Sequence, residues 1–121
     1  MKILVVDDDI MILKSISHCL ESMHLDVAVA QNSAQALDEI ENSKPNLIIC
    51  DIMMPGFSGL GLLSLLKNFY LVNIPVIIVS SLNTADIISS IKELGAVDFI
   101  PKPIDFSSLI KHVKRHLGLA E

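Results

Sequence analysis

The sequence predicts an α/β fold in which helices cover both faces of a parallel five-stranded sheet. Short apolar runs rich in β-branched residues recur without alternating polar residues, as expected of strands buried on both faces. Between these runs, apolar residues recur at steps of three and four, which is the spacing of amphipathic helices. The two patterns alternate about five times with short connections, so we expect parallel pairing and right-handed crossovers.

The predicted strands follow in order from the apolar runs. They are ILVV (3–6), VAVA (27–30), LIIC (47–50), VIIV (76–79) and the weaker VDFI (97–100). Helical periodicity is clearest in three sets: Ile12, Ile16, Cys19 and Leu20; Leu62, Leu63, Leu66 and Phe69; and Ile87, Ile88, Ile91 and Leu94. N-caps are expected at Asp9, at Asn32 or Ser33, and at Asp105, and C-caps at Gly95 and Gly118.

Length and composition indicate one domain, which we place over residues 1–121. A chain of 121 residues can bury a hydrophobic core without disulfides or metal ions. Cys19 and Cys50 form no spaced framework, which favours a reducing cytoplasm, and no apolar stretch is long enough to span a membrane. The net charge of −5 argues against direct nucleic acid binding, which needs clustered Lys and Arg.

Polar residues follow the predicted strands at the edge where parallel strands present their carboxyl ends, and ligands bind at this edge. They are Asp7 and Asp8 after the first strand, Asp51 after the third, Ser80 after the fourth and Lys102 after the fifth. Each residue alone is more readily explained as a helix N-terminal charge, a strand end, a turn residue or a surface lysine. Their combination is harder to explain in that way.

Charge repulsion favours a metal site at this edge. Two carboxylates about 4 Å apart repel by roughly 4 kcal/mol at an effective dielectric near 20, several times the helix-dipole benefit of roughly 0.3–1 kcal/mol. Asp51 is not placed to be stabilised as a helix N-cap, because the next helical pattern starts only around Ser58 to Leu60. Lys102 supplies one positive charge, and a hard divalent ion with oxygen ligands, with Mg²⁺ the obvious candidate, would supply the rest.

Such a set of groups suits phosphoryl transfer, in which catalysis is mostly positioning and charge neutralisation. Asp51 stands alone on the middle strand and is the expected nucleophile, forming an aspartyl phosphate. Asp7 and Asp8 would hold Mg²⁺, and the Lys102 ammonium and Ser80 hydroxyl would bind phosphoryl oxygens.

Four segments, in this order and spacing, resemble the receiver domain of two-component response regulators, the family that includes the chemotaxis regulator. They are ILVVDDD, with Asp7 and Asp8; LIICDIMMPGFSG, with Asp51, Pro55 and Gly59; PVIIVSS, with Ser80; and GAVDFIPKPI, with Phe99, Lys102 and Pro103. The resemblance covers essentially the whole chain. It implies a flavodoxin-like (βα)5 three-layer sandwich with strand order 2-1-3-4-5.

The resemblance also implies roles for particular groups. The backbone carbonyl of Met53 would complete the Mg²⁺ ligands, and the Lys102–Pro103 peptide would be cis. Ser80 and Phe99 would form a switch, although Thr is commoner than Ser and Tyr is frequent at the aromatic position. The apolar Met53 side chain is expected to hinder the attacking water and so slow loss of the phosphoryl group.

The implied partners follow from the same family. A histidine kinase or histidine phosphotransfer protein would donate the phosphoryl group, and the domain would catalyse only its own phosphorylation and dephosphorylation. The fourth helix (about 84–94), the fifth strand and the fifth helix (about 106–117) would contact a downstream effector domain or protein, or form a phosphorylation-dependent homodimer. The chain could be a stand-alone receiver or part of a longer regulator.

Two further features and two rival functions remain open. Ile10 and Met11 lie off the main apolar stripe of the first helix and are either a docking surface for a partner helix or ordinary loop packing. His112 and His116 form a pair with metal-ligand spacing but no evident third ligand, so a solvated face is favoured. A haloacid-dehalogenase-type phosphatase would use the D-x-D in VVDDDIM, but Met11 stands where that motif needs Thr or Val. The other rival is a non-phosphorylated scaffold domain.

Overall fold

The computed structural model describes residues 1–53, 59–67 and 73–119. Within these residues five strands alternate with five helices. They are β1 (Lys2–Val6), α1 (Ile10–Glu21), β2 (Asp26–Ala30), α2 (Ser33–Ser43), β3 (Leu47–Asp51), α3 (Gly59–Leu65), β4 (Val76–Ser80), α4 (Ala85–Glu93), β5 (Asp98–Pro101) and α5 (Phe106–Leu117). The predicted positions Pro55, Ser58 and Phe69 lie outside the described residues. None of the helices that can be described is long and apolar enough to cross a membrane.

The sheet has the order β2-β1-β3-β4-β5, and every pair of neighbouring strands is parallel. This order confirms the predicted flavodoxin-like topology. β3 and β4 each extend one residue beyond their predicted ends, so Asp51 and Ser80 are the last residues of their strands. The backbone positions of Asp51 and Ser80 are therefore set by the sheet rather than by a following loop.

The core consists of two apolar layers, one on each face of the sheet. Alternate strand residues such as Ile3 and Val5 pack with α1 and α5, whereas Leu4 and Val6 pack with α2, α3 and α4. Because successive side chains of a strand point to opposite faces and both faces are covered, the strand sequences are apolar without alternation.

Capping residues set most helix boundaries. The predicted N-caps Asp9, Asn32 and Asp105 each accept a hydrogen bond from a backbone N–H of the first turn. Gly118 caps α5 in the left-handed conformation, as predicted. The prediction for Gly95 was wrong by one residue, because Leu94 is the C-cap of α4 and Gly95, with a φ of +96°, follows it.

Candidate functional site

The sheet brings the predicted site residues to the edge formed by the carboxyl ends of β1, β3, β4 and β5. The Asp7 backbone N–H donates to the Ala30 carbonyl, so the strand pairing of β1 and β2 continues to the first acidic residue. The Lys102 N–H donates to the Ser80 carbonyl at 3.0 Å and fixes the lysine beside the end of β4. The Lys102–Pro103 peptide is cis.

Three carboxylates form what we call the acidic cluster: Asp7, Asp8 and Asp51. One oxygen from each residue lies within 4.8 Å of the others. Asp7 and Asp51 are 2% and 6% exposed, whereas Asp8 is exposed to solvent. The Asp7 carboxylate is further held by a 2.9 Å hydrogen bond that its Oδ1 accepts from the Asp9 N–H. Of the three carboxylates, Asp8 is therefore the one that faces solvent.

Lys102 provides positive charge directly within the acidic cluster. Its Nζ lies 3.0 Å from Asp7 Oδ2 and 3.5 Å from Asp51 Oδ2. Burial lowers the pKa of the Lys102 ammonium, but the hydrogen bond to Asp7 and the negative charges of Asp51 and Asp7 outweigh it, so the pKa is raised above its ordinary value. Lys102 therefore remains charged and compensates part of the negative charge around it.

One lysine does not neutralise the acidic cluster. Burial raises the pKa of the Asp51 carboxyl, and repulsion by Asp7 raises it further. Lys102 and the hydrogen bonds from the Met53 and Ile52 backbones lower the pKa, but the net shift remains upward. The charged form of Asp51 is therefore only partly compensated, mainly because the group is buried and also because Asp7 is close. The all-oxygen donor set fits a hard divalent cation such as Mg²⁺.

Two further predicted site residues lie near Asp51. Met53 follows it along the chain, and Ser80 ends the neighbouring strand β4. Ser80 is 1% exposed, and its Oγ accepts a 3.0 Å hydrogen bond from the Leu82 N–H. The hydroxyl hydrogen remains able to donate to a ligand. Met53 lies two residues after Asp51 and is 61% exposed, so its side chain is open to solvent.

Phe99, the predicted switch aromatic, lies on β5 and packs partly buried against the core layer of α2, α3 and α4. It also lines a cavity of about 280 Å³ between α4 and β5, together with Ile88 and Ile91. One side of the ring therefore borders open space rather than the packed core.

The structure corrects one prediction and adds a residue that the sequence did not indicate. His112 and His116 do not form a solvated face, because their side chains are 21% and 19% exposed. Both contact Asp98 Oδ2, at 3.3 and 3.0 Å. Asp98 was missed because its contacts with His112 and His116 depend on how α5 packs on β5, which the sequence pattern does not give. Its single signal was an acidic residue inside an apolar strand run.

Ile10 and Met11 are exposed beside the acidic cluster, as their positions predicted. Ile10 is 49% and Met11 70% exposed. A neighbouring apolar cavity of about 270 Å³ between α1 and the start of α5 is lined by Ile12, Ile104 and Phe106, among others. An apolar surface thus borders the charged edge of the sheet.

Comparisons with known proteins agree with this geometry. The family model of the response regulator receiver domain matches residues 3–114. The chain is 34% identical over 118 residues to sporulation initiation phosphotransferase F of Bacillus subtilis, covering 98% of this chain and 94% of that protein. It is 30% identical to the transcriptional regulatory protein CrdR of Helicobacter pylori over 94% of this chain, but it spans only 54% of CrdR.

Solved structures give the same result. The BeF3-activated N-terminal receiver domain of Klebsiella pneumoniae RstA superposes with a TM-score of 0.89 at 31% identity, covering 97% of this chain and 98% of that one. These comparisons do not favour a phosphatase or a decayed scaffold. The chain therefore belongs to the response regulator receiver domains of two-component signal transduction.

Proposed function

We propose that Asp51 is the phosphoacceptor, and that it takes a phosphoryl group from the phosphohistidine of a histidine kinase or a histidine phosphotransfer protein. The single observation that carries this proposal is the contact of one lysine with two buried carboxylates. Lys102 Nζ lies 3.0 Å from Asp7 and 3.5 Å from Asp51. Of these two acids, Asp51 is the one on the middle strand, and burial raises the pKa of its carboxyl.

The proposed transfer is a displacement at phosphorus. One Asp51 carboxylate oxygen forms a bond to phosphorus as the phosphorus–nitrogen bond of the donor breaks. The bonding electron pair leaves with the imidazole nitrogen, which then takes up a proton from solvent. The product is an acyl phosphate on Asp51, and no oxidation or reduction occurs.

The acidic cluster would hold Mg²⁺ through the carboxylates of Asp7, Asp8 and Asp51, with the Met53 carbonyl as a further ligand. Bound there, the ion would neutralise charge on the phosphoryl oxygens and on the attacking carboxylate. Support for this assignment comes from the short oxygen–oxygen separations, all within 4.8 Å, and from the raised pKa of Asp51.

Lys102 and Ser80 would bind the transferred group. The Lys102 ammonium, already 3.5 Å from the Asp51 carboxylate, would exchange part of that contact for a phosphoryl oxygen. The Ser80 hydroxyl would turn from the loop to donate to a second phosphoryl oxygen. This exchange would give up the hydrogen bond between Ser80 Oγ and the Leu82 N–H, and would thereby change the loop after β4.

The proposed output is a change on the surface formed by α4, β5 and α5, which we call the output face. When Ser80 moves toward the phosphoryl group, Phe99 would turn inward from the cavity that it lines between α4 and β5. Reversing a 1:99 equilibrium requires about 5.5 kcal/mol of bias toward the active state. An effector domain, a separate effector protein or a second phosphorylated copy would read this face.

The donor protein would bind beside Asp51, on the apolar surface formed by Ile10, Met11 and the adjacent cavity. Hydrolysis by water at phosphorus would return Asp51 to its carboxylate, and Met53 would slow this step.

We place the receiver domain over residues 1–121. A cytoplasmic location fits the free thiols of Cys19 and Cys50.

Incubation with Mg²⁺ and acetyl phosphate tests the proposal. We expect a base-labile phosphoryl adduct that is lost in Asp51→Asn and retained in Asp38→Asn, a matched change of an exposed acid on α2. An adduct on Asp7, or rapid turnover of phosphate monoesters, would instead support the phosphatase. Absence of both the adduct and Mg²⁺ binding would support the scaffold.

A further inference from the structure

A second group of ionisable side chains lies at the amino end of β5, opposite the end that leads to Lys102. We call it the histidine cluster: Asp98, His112, Arg115 and His116. Asp98 begins β5, and the other three residues project from the C-terminal half of α5. Asp98 Oδ2 is 3.3 Å from His112 Nε2, 3.0 Å from His116 Nε2 and 3.6 Å from Arg115 Nη1.

The hydrogen bond on the far side of the His112 ring assigns its tautomer. His112 Nδ1 lies 2.8 Å from the Ser108 carbonyl oxygen, and a carbonyl can only accept, so Nδ1 carries the hydrogen. In the neutral ring Nε2 then bears a lone pair, and it lies 3.3 Å from the Asp98 carboxylate. Two acceptors at this distance repel each other unless a proton or a metal ion lies between them.

We propose that Asp98, His112 and His116 form a binding site for a borderline divalent transition-metal ion such as Zn²⁺. Histidines four residues apart on one helix face are a common zinc pair, and a carboxylate is a common third ligand. The hydrogen bond from His112 Nδ1 to a carbonyl is the outer contact that metal-binding histidines usually make. All three side chains are about one-fifth exposed, which leaves a fourth position for water.

Binding the ion requires small side-chain movements and the loss of a proton. Among the described residues, only the acidic cluster has three possible ligand atoms that all lie within 4.8 Å of one another. At least one pair of ligand atoms in the histidine cluster is therefore farther apart than this. Two nitrogens on one Zn²⁺ are at most about 4.2 Å apart, so both rings must turn toward each other. His116 Nε2, which donates to Asp98 here, must release its proton. Arg115, 60% exposed, would move into solvent.

The proposed site lies within the output face, because it joins β5 to α5. The other Asp98 oxygen, Oδ1, accepts a 3.0 Å hydrogen bond from the Phe99 N–H. A metal ion joining Asp98 to two α5 histidines would therefore fasten α5 to β5 at the residue next to the proposed switch aromatic. This site shares no ligand with the acidic cluster and does not depend on phosphorylation.

Titration of the full chain with Zn²⁺ tests this proposal, with excess Mg²⁺ present to occupy the acidic cluster. The imidazole ¹⁵N resonances of His112 and His116 should shift, while those of the exposed His18 and His24 should not. His112→Gln and His116→Gln should each weaken Zn²⁺ binding about tenfold or more, since even outer-shell changes cost about 10–100-fold. The matched control His18→Gln should bind as wild type does.

Several outcomes would overturn the proposal. These are absence of Zn²⁺ binding under these conditions, unchanged binding in the His112→Gln, His116→Gln double variant, and loss of Zn²⁺ binding in Asp51→Asn. Circular dichroism verifies that each variant is folded, and Mg²⁺ affinity does so for the histidine variants, which leave the acidic cluster unchanged. Asp98→Asn should also weaken Zn²⁺ binding. If that variant does not fold, the histidine variants decide the result, because they leave the Asp98 bond to the Phe99 N–H in place.

Discussion

The acidic cluster and the histidine cluster lie at opposite ends of β5, and they differ in how the chain builds them. The acidic cluster and Lys102 combine residues that follow or end β1, β3 and β5, and the parallel topology alone makes them meet. The histidine cluster joins one strand residue to one helix face by packing of α5 on β5. A site at the carboxyl edge follows from fold class, whereas a site at the amino end depends on details of helix packing.

The cations of the two clusters also differ in burial. The Lys102 side chain is 17% exposed and contacts two carboxylates, whereas Arg115 is 60% exposed and contacts one at 3.6 Å. Solvent can replace the arginine but not the lysine. The difference predicts unequal effects when each cation is removed.

The largest expected effect belongs to Lys102→Met, which keeps the length of the side chain and removes its charge. Without Mg²⁺ at pH 7, the free energy of unfolding should fall by about 3 kcal/mol, because two buried carboxylates lose their compensating charge. Urea unfolding measures the change. Saturating Mg²⁺ should reduce the loss, since the ion compensates the same carboxylates. An equal loss with and without Mg²⁺ would mean that the lysine acts through packing alone.

A smaller effect of opposite sign is expected for Asp51→Asn. Two carboxylates about 4 Å apart repel by roughly 4 kcal/mol, and Lys102 offsets part of this, so the metal-free variant should gain on the order of 1–2 kcal/mol at pH 7. Urea unfolding in the presence of a chelator measures the gain. The exposed change Asp38→Asn is the control and should leave stability unchanged.

The pH dependence of this gain provides an independent check. Burial and the charge of Asp7 raise the pKa of Asp51 in the folded protein, so the folded state holds the proton more tightly than the unfolded chain. The stability linked to this proton is fully present below the ordinary pKa of 3.8 and is lost as the pH rises through the raised value. The advantage of Asp51→Asn should therefore grow as the pH rises from about 4 to 7. A gain that is constant with pH would contradict this explanation.

Most of the fold and the acidic cluster could be predicted because both follow from local patterns and topology. Unbroken apolar runs predict buried strands, and the ends of such strands in a parallel sheet meet at one edge. Asp51 and Ser80 could be placed at this edge without knowledge of any side-chain conformation.

Features that depend on long-range packing could not be predicted. The contact between Asp98 and His116 requires the rotation of α5 about its axis, which periodicity gives only approximately. Left-handed backbone conformations at His24 and Lys44, near the ends of α1 and α2, carry no glycine signal. The cavity beside Phe99 also leaves no trace in the sequence, because it reflects how α4 lies over β5.

A further effect is expected at Met53, the exposed residue two positions after Asp51. Met53→Asn should shorten the lifetime of phosphorylated Asp51 about fivefold, equal to about 1 kcal/mol in the barrier, because an amide can orient the attacking water. Decay of the labelled adduct measures the lifetime. Met11→Asn changes a methionine that is 70% exposed, compared with 61% for Met53, and should not change the lifetime. Unchanged lifetimes in Met53→Asn would remove this role.

The smallest expected effect is that of Arg115→Met, the counterpart of Lys102→Met in the histidine cluster. The guanidinium is mostly exposed and contacts Asp98 at 3.6 Å, so its removal should change the free energy of unfolding by less than about 0.5 kcal/mol. Asp98 would retain its contacts with His112 and His116. Urea unfolding beside Lys102→Met compares the two directly. A loss as large as that of Lys102→Met would mean that the cation, rather than the histidines, holds Asp98 in place, and that the two ends of β5 are stabilised in the same way.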